Sequence, residues 1–169
     1  EEERAQLGVA PSPVGIMGEI PSAAIMAEQF AREADFFSIG SNDLTQYTLA
    51  MDRGHPKLAP QVDGLNPSVL QLIANAVKGA QQHGRWVGVC GGIASDPQAV
   101  PLLIGLGVTE LSVSIPVIPA IKAQIRTLSL AECRRLAQQA LSRDTAAEVR
   151  ALVPDPWADA SSTDESTRR

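Results

Sequence analysis

Phe36-Phe37-Ser38-Ile39-Gly40-Ser41-Asn42-Asp43-Leu44-Thr45-Gln46-Tyr47 sets the pattern on which the fold of this chain is read. A short run of aromatic and aliphatic side chains stops at a glycine, as a buried strand does, and a polar cluster follows at once. The same alternation recurs on both sides. Upstream, Val14-Gly15-Ile16-Met17-Gly18-Glu19 is a second strand that breaks at Pro21. The helix after it is expected to take Ser22 as its cap and to bury Ala24, Ile25, Ala27 and Phe30. Downstream, the stretch from Arg53 to Pro67 is punctuated by Gly and Pro and has no period, so it is expected to be a long loop.

Next comes a helix from Ser68 to about His83, with Val69, Leu72, Ile73, Ala76, Val77 and Ala80 forming one apolar stripe that Gly84 stops. Trp86-Val87-Gly88-Val89-Cys90 is the third strand, and its helix runs from about Pro97 to Leu106, where Gly107 ends it. Glu110-Leu111-Ser112-Val113-Ser114 is the fourth strand, followed by a helix that starts at Pro116 or Pro119 and reaches Leu128. Two further helices carry capping boxes, Ser129 with Glu132 and Thr145 with Glu148, and are expected to be peripheral. The segment 154–169, rich in Ser, Asp, Thr and Pro, is expected to be a disordered tail, with Trp157 its one docking candidate.

Four strand–helix units in succession imply parallel strands, since a parallel crossover takes a dozen or more residues. The 169-residue chain is 44% hydrophobic but only 4% aromatic, so its core is made of small aliphatic residues packed at short helix–sheet distances. A layered α/β domain over residues 1–153 follows. Periodicity leaves a TIM barrel and an open sheet equally allowed; both put their chemistry just after the strands.

A formal charge of -5, with no block of basic residues interleaved with aromatics, lacks the footprint of a nucleic-acid binder. Cys90 and Cys133 have no C-x-x-C spacing, which argues against a disulfide framework and for a reducing, cytoplasmic setting. Glu1-Glu2-Glu3-Arg4 is unlike a signal peptide, and no apolar run reaches 18 residues, so membrane insertion is not expected.

The polar residues after the strands carry the candidate chemistry. Glu19 is either a carboxylate at the sheet rim or one favoured by a helix N-terminus. Asp43 follows the neighbouring strand, and two rim carboxylates on strands about 5 Å apart can share a divalent cation. Without clustered His, the donors are hard oxygens and suit Mg²⁺. Asn42 either donates to a phosphoryl oxygen or acts as a turn residue. Arg53 either offers its donor fork to phosphate or carboxylate or pairs with Asp52. Cys90, at the end of a strand and before Gly91-Gly92, is either an acid at neutral pH or an inert buried thiol. Cys133, His55 and His83 have no partners at functional spacing.

Taken together, Gly18-Glu19-Ile20-Pro21, the run from Phe36 to Tyr47, Asp52-Arg53-Gly54 and Gly88-Val89-Cys90-Gly91 resemble the phosphoenolpyruvate (PEP)-binding domain of enzyme I of the bacterial sugar phosphotransferase system. Its relatives include pyruvate phosphate dikinase and PEP synthase. The resemblance covers about residues 8–153. It implies a (β/α)8 barrel of which this chain supplies the last four βα units plus C-terminal helices, and it implies a magnesium-dependent phosphotransferase. By the same resemblance, Glu19 and Asp43 bind Mg²⁺, Asn42 and Arg53 bind substrate, and Cys90 protonates the enolate. The phosphoryl group passes to a histidine on a separate domain and then to the carrier HPr, releasing pyruvate. The chain departs from the family pattern at Gly92, where Glu is usual, and at Gly18, where a hydrophobic residue is usual. Four strands hold only part of such a site, so the isolated chain is expected to be inactive and to pair as a homodimer. The competing readings are a non-catalytic half-barrel that serves interaction or assembly, and a fragment of a related pyruvate phosphate dikinase or PEP synthase.

Overall fold

The computed structural model describes residues 2–8 and 10–156; the tail expected beyond these, with Trp157, lies outside the described residues. In order the elements are α1 (Glu2–Leu7), β1 (Gly15–Met17), α2 (Pro21–Ile25), α3 (Ala27–Phe30), β2 (Phe36–Gly40), α4 (Ser41–Leu49) and α5 (Pro67–Gln81). Then follow β3 (Trp86–Cys90), α6 (Ala99–Leu106), β4 (Glu110–Leu111), α7 (Ile118–Thr127), α8 (Leu130–Leu141) and α9 (Ala146–Leu152). Short 3-10 turns occupy Ala59–Gln61, Gly92–Ser95 and Ile115–Val117.

The strands form one parallel sheet in the order β1-β2-β3-β4. Its two faces differ. Phe37, Ile39, Val87 and Val89 are fully buried, in one core with Val69, Ile73 and Val77 of α5 and Leu102 and Leu103 of α6. On the alternate positions Phe36 and Trp86, partners in the register, stack with ring centroids 4.5 Å apart, and Trp86 stays 41% exposed. Parallel sheets normally bury both faces. A parallel sheet covered by helices on one side, with large side chains on the other, has the sidedness of a segment of a (β/α)8 barrel, whose inner face meets further strands.

Local chemistry accounts for several element ends. Asn66 caps α5 by accepting a hydrogen bond from the Ser68 N–H at 3.0 Å, and Pro67 sits where its missing N–H costs nothing. α6 ends on Gly107, whose φ of 97° a glycine adopts freely. Pro116 falls in the 3-10 turn and Pro119 in the first turn of α7, so each of the two expected helix starts is used.

Elsewhere the structure departs from the sequence reading. Ile20 holds the N-cap position of the helix after β1 and Ser22 lies inside its first turn, because Pro21 fixes the start one residue earlier. That helix is broken at Met26 into α2 and α3, so the expected stripe is split: Ala24 and Ala27 are buried, whereas Ile25 and Phe30 are 61% and 43% exposed. Ser129 makes no side-chain cap bond, and the Glu132 carboxylate, which would supply the other half of the capping box, is held at both oxygens by Arg135. At α9 half of the second capping box forms: Thr145 accepts from the Glu148 N–H, but Glu148 accepts from Asp144 one residue too early.

Nor is α8 peripheral. Cys133, Ala137 and Ala140 are buried, and a Cβ on Gly105 of α6 would stand 2.0 Å from the Cys133 carbonyl oxygen, so the two helix backbones touch. Burial foremost, with the charge of Glu132, pushes the Cys133 thiol up from its ordinary range, as suits an inert core residue. Among the described residues no helix is long and apolar enough to cross a membrane.

Candidate active site

The candidate residues stand where strands give way to helices at one rim of the sheet. β2 passes into α4 without a linker, so Asn42 and Asp43 fall in the first turn of a helix. Within this helix the polar run satisfies itself: Thr45 and Thr48 turn their hydroxyls back onto the carbonyls of Ser41 and Leu44, each at 2.6 Å, and so leave no side-chain hydroxyl competing for the helix N–H groups.

Two hydrogen bonds lace this turn to the end of β3. The Ser41 hydroxyl donates to the Cys90 carbonyl at 2.6 Å, and the Gly92 N–H donates to Asn42 Oδ1 at 2.9 Å. Between them Gly91 adopts φ 92°, ψ -171°. A Cβ there would lie 2.4 Å from Ser41 Oγ and 3.0 Å from Asn42 Oδ1, so the close approach and the backbone angle both demand glycine. Asn42 thereby acts as the turn residue that the sequence allowed, Oδ1 fixing a loop while Nδ2 remains available as a donor.

Glu19 follows β1, whose ladder continues past Met17. The Gly18 N–H donates to the Ser38 carbonyl at 2.8 Å and the Gly40 N–H to the Gly18 carbonyl at 3.3 Å. The tip of Ile39 sits 3.1 Å from where a Gly18 side chain would begin, so Ile39 occupies the space that a larger residue would need. Glu19 lies before the Ile20 cap of α2 and outside that helix. Its Oε2 is 2.8 Å from where a Cβ on Gly40 would stand, which directs the carboxylate across the end of β2. Asp43 comes three residues after that glycine, and its Oδ1 pairs with Arg53 at 3.0 Å. Asp52 closes a turn on the Gly54 N–H at 2.7 Å, and Arg53 anchors its own N–H on Gln46 Oε1 at 3.2 Å.

Cys90 is half-buried. Its thiol donates toward the Ile39 carbonyl at 3.4 Å and lies 3.8 Å from the Ser38 hydroxyl. Gly92 has open space beyond Asn42 Oδ1 at 3.4 Å, so its position admits a side chain. His55 accepts from the Lys57 N–H at 3.2 Å within the long loop.

Asn42 and Arg53 line a cavity of about 400 Å³ together with Thr45, Asp63, Gly92 and Arg150. Asp43 touches this lining through Arg53, whereas Glu19 and Cys90, at the ends of β1 and β3, are not among its lining residues. Among the described residues no group of three or more His, Cys, Asp or Glu converges as a metal cluster.

The sequence reading missed Arg150 and its partners. Its Nε and Nη2 hold both oxygens of Asp63, at 2.7 and 2.9 Å, and Nη2 lies 3.0 Å from Asp96. Burial works against the charge of Asp63, but hydrogen bonds from Arg150 and the Leu65 N–H, with the charge of Arg150, outweigh it and hold the carboxyl below its ordinary range. These partners are more than 50 residues from Arg150, beyond any local pattern.

A family model described as the PEP-binding domain of PEP-utilising enzymes matches residues 2–130. The multiphosphoryl transfer protein of Rhodobacter capsulatus is 59% identical over 152 residues, 90% of this chain and 18% of that protein. Its Xanthomonas campestris counterpart is 54% identical over 88% of the chain and 18% of its own length. The phosphoenolpyruvate-protein phosphotransferase of Geobacillus stearothermophilus is 47% identical over 83% of the chain and 24% of its own length. The chain thus spans about a fifth of the length of these curated relatives.

Proposed function

The chain belongs to the PEP-utilising enzymes through their PEP-binding domain, and on that premise we propose that it is the metal and acid side of the active site of a phosphoenolpyruvate-protein phosphotransferase. The observation that carries this reading is the lacing of Ser41 and Asn42, the two residues before Asp43, to the Cys90–Gly92 turn, with Glu19 directed across the intervening strand end. In this reading Glu19 and Asp43 serve the metal, Asn42 the phosphate and Cys90 the proton, each from the end of one of three consecutive strands.

The donor set fits magnesium. Glu19 and Asp43 offer two hard oxygen donors at adjacent strand ends, and Gly40 leaves the room that lets the Glu19 carboxylate lie there. Magnesium characteristically takes one or two carboxylates and keeps waters and substrate phosphate for its remaining positions. When bound, the ion neutralises charge on the transferred phosphoryl group.

The chain's own residues do the rest. Arg53 exchanges the Asp43 carboxylate for a phosphate or carboxylate of PEP, which present the same geometry to its donor fork. Asn42 donates from Nδ2 to a phosphoryl oxygen while Gly92 fixes its other end. As the bond from phosphorus to the enol oxygen breaks, the phosphoryl group passes to a histidine on another domain of the same protein and onward to HPr. The electron pair stays on the enolate. Cys90 then gives its thiol proton to the methylene carbon, forming pyruvate, and solvent restores the thiol.

The test uses the full-length protein that carries this chain. Pyruvate release and phosphohistidine formation are measured separately for wild type and Cys90→Ala. Pyruvate release is expected to slow by roughly 100-fold or more, with phosphoryl transfer less affected. Equal rates in the variant remove Cys90 from the reaction, and absence of PEP turnover in wild type supports the non-catalytic half-barrel instead.

A further inference from the structure

We propose that Arg150, on α9, is a positioning residue for the candidate site: its guanidinium ties the loop that carries Arg53 to the loop that follows Cys90. The inference rests on the reading just given for those two residues.

Arg150 spends every donor group on the two loops. Nε and Nη2 hold Asp63 in the long loop between α4 and α5, and Nη2 also lies 3.0 Å from Asp96, which follows the Gly92–Ser95 turn. Nη1 donates to Gln98 Oε1 at 2.9 Å. The side chains of Arg150, Asp63 and Asp96 are only 34%, 26% and 18% exposed, so these pairs are shielded more than ordinary surface ion pairs.

Each carboxylate also shapes its own loop. Asp63 Oδ1 accepts from the Leu65 N–H at 2.9 Å, and Asp96 Oδ1 accepts from the Gln98 N–H at 2.9 Å. Both are local Asp turns, and one planar cation between them sets them relative to each other. The helix that delivers the cation is itself held in place: Gln98 Nε2 donates to the Arg150 and Val153 carbonyls at 3.0 and 2.6 Å, and Val149 is fully buried. Arg150 lines the same cavity as Asn42 and Arg53. With each guanidinium nitrogen engaged by the loops, it holds the walls. A fork is required, because a lysine ammonium is a single point of charge and cannot satisfy both carboxylates in this plane.

Two measurements decide the matter. In this chain, Arg150→Gln is expected to speed amide hydrogen exchange at both Leu65 and Gln98 by about tenfold or more, with Arg150→Lys intermediate. Val149→Ala, which weakens the same helix by packing alone, is expected to lower thermal stability without that paired effect. Unchanged exchange in either loop of Arg150→Gln, or the same paired acceleration in Val149→Ala, overturns the proposal. In the full-length protein, Arg150→Gln is expected to lower kcat/KM for PEP by about 10- to 100-fold. Combined with Arg53→Gln its effect is expected to be less than additive, since both act through one loop. Additive losses overturn the proposal. If wild type fails to turn over PEP, the proposed function falls, and the exchange measurement alone decides the role of Arg150.

Discussion

Replacing Gly91 by Ala is expected to damage the rim far more than one methyl group suggests, and the structure gives the magnitude. Gly91 sits at φ 92°, ψ -171°, a region open in practice to glycine alone, so a side chain there costs about 1–3 kcal/mol in backbone strain. The new Cβ would also stand 2.4 Å from Ser41 Oγ. Displacing that hydroxyl breaks its 2.6 Å bond to the Cys90 carbonyl, worth about another 1 kcal/mol. The sum is roughly 2–4 kcal/mol, which in a domain of this size lowers Tm by roughly 5–15 °C. Gly92→Ala is the control. Its Cβ would meet only Asn42 Oδ1, at an ordinary 3.4 Å, so the change is expected to stay within about 0.5 kcal/mol. Urea unfolding of the two variants beside wild type measures both. A Gly91→Ala loss under about 0.5 kcal/mol, or equal losses in the two, would refute the claim that this turn is built on one obligatory glycine.

Two further outcomes are expected. Asp63 titrates below its ordinary value of 3.8 because Arg150 and the Leu65 N–H favour its charged form despite burial. A carboxyl depressed on folding adds stability above its unfolded pKa and loses it as pH falls through the folded one. The stability gap between wild type and Arg150→Gln should therefore be full at about pH 7 and shrink progressively as the pH is lowered below the ordinary carboxylate range; a gap that stays constant throughout acid titration contradicts the pairing. Separately, β1 and β4 are the outer strands of a sheet whose inner face shows Phe36 and Trp86, and Val14 and Ile115 beside these strands are 68% and 83% exposed. The isolated chain is expected to self-associate, and a strictly monomeric mass by light scattering would count against paired edges.

What the sequence makes legible follows from the range of the forces involved. β2, β3 and α5 stand where their apolar runs and stripe put them, because burial of one face is written locally every two or every three to four residues. α4 is hidden by its own polarity: Ser41, Thr45 and Thr48 look like loop residues until their hydroxyls are seen bonded within the rim and the helix. The Glu132 half of the expected capping box is lost for a reason equally invisible in a motif, since Arg135 holds both carboxylate oxygens. The split of the first helix follows a break at Met26 that no Gly or Pro announces.

At the site, the placement of Glu19, Asn42, Asp43 and Cys90 after strands is legible, because strand ends are. The pairing of Arg53 with Asp43 is not, since Asp52 stands next to it in sequence and Asp43 only in space. Arg150 is still harder to find, as both its carboxylate partners come from loops on other units of the fold.

The most direct test of the account is calorimetric titration of Mg²⁺ into the full-length protein with PEP present, for wild type, Glu19→Gln and Asp43→Asn. Each substitution keeps the shape of the side chain and removes its charge, and circular dichroism checks that the fold is unaltered. The predicted result is Mg²⁺ affinity weakened by at least about tenfold in each variant. Wild-type affinity in both would contradict the assignment of this rim as the metal side of a PEP-binding site.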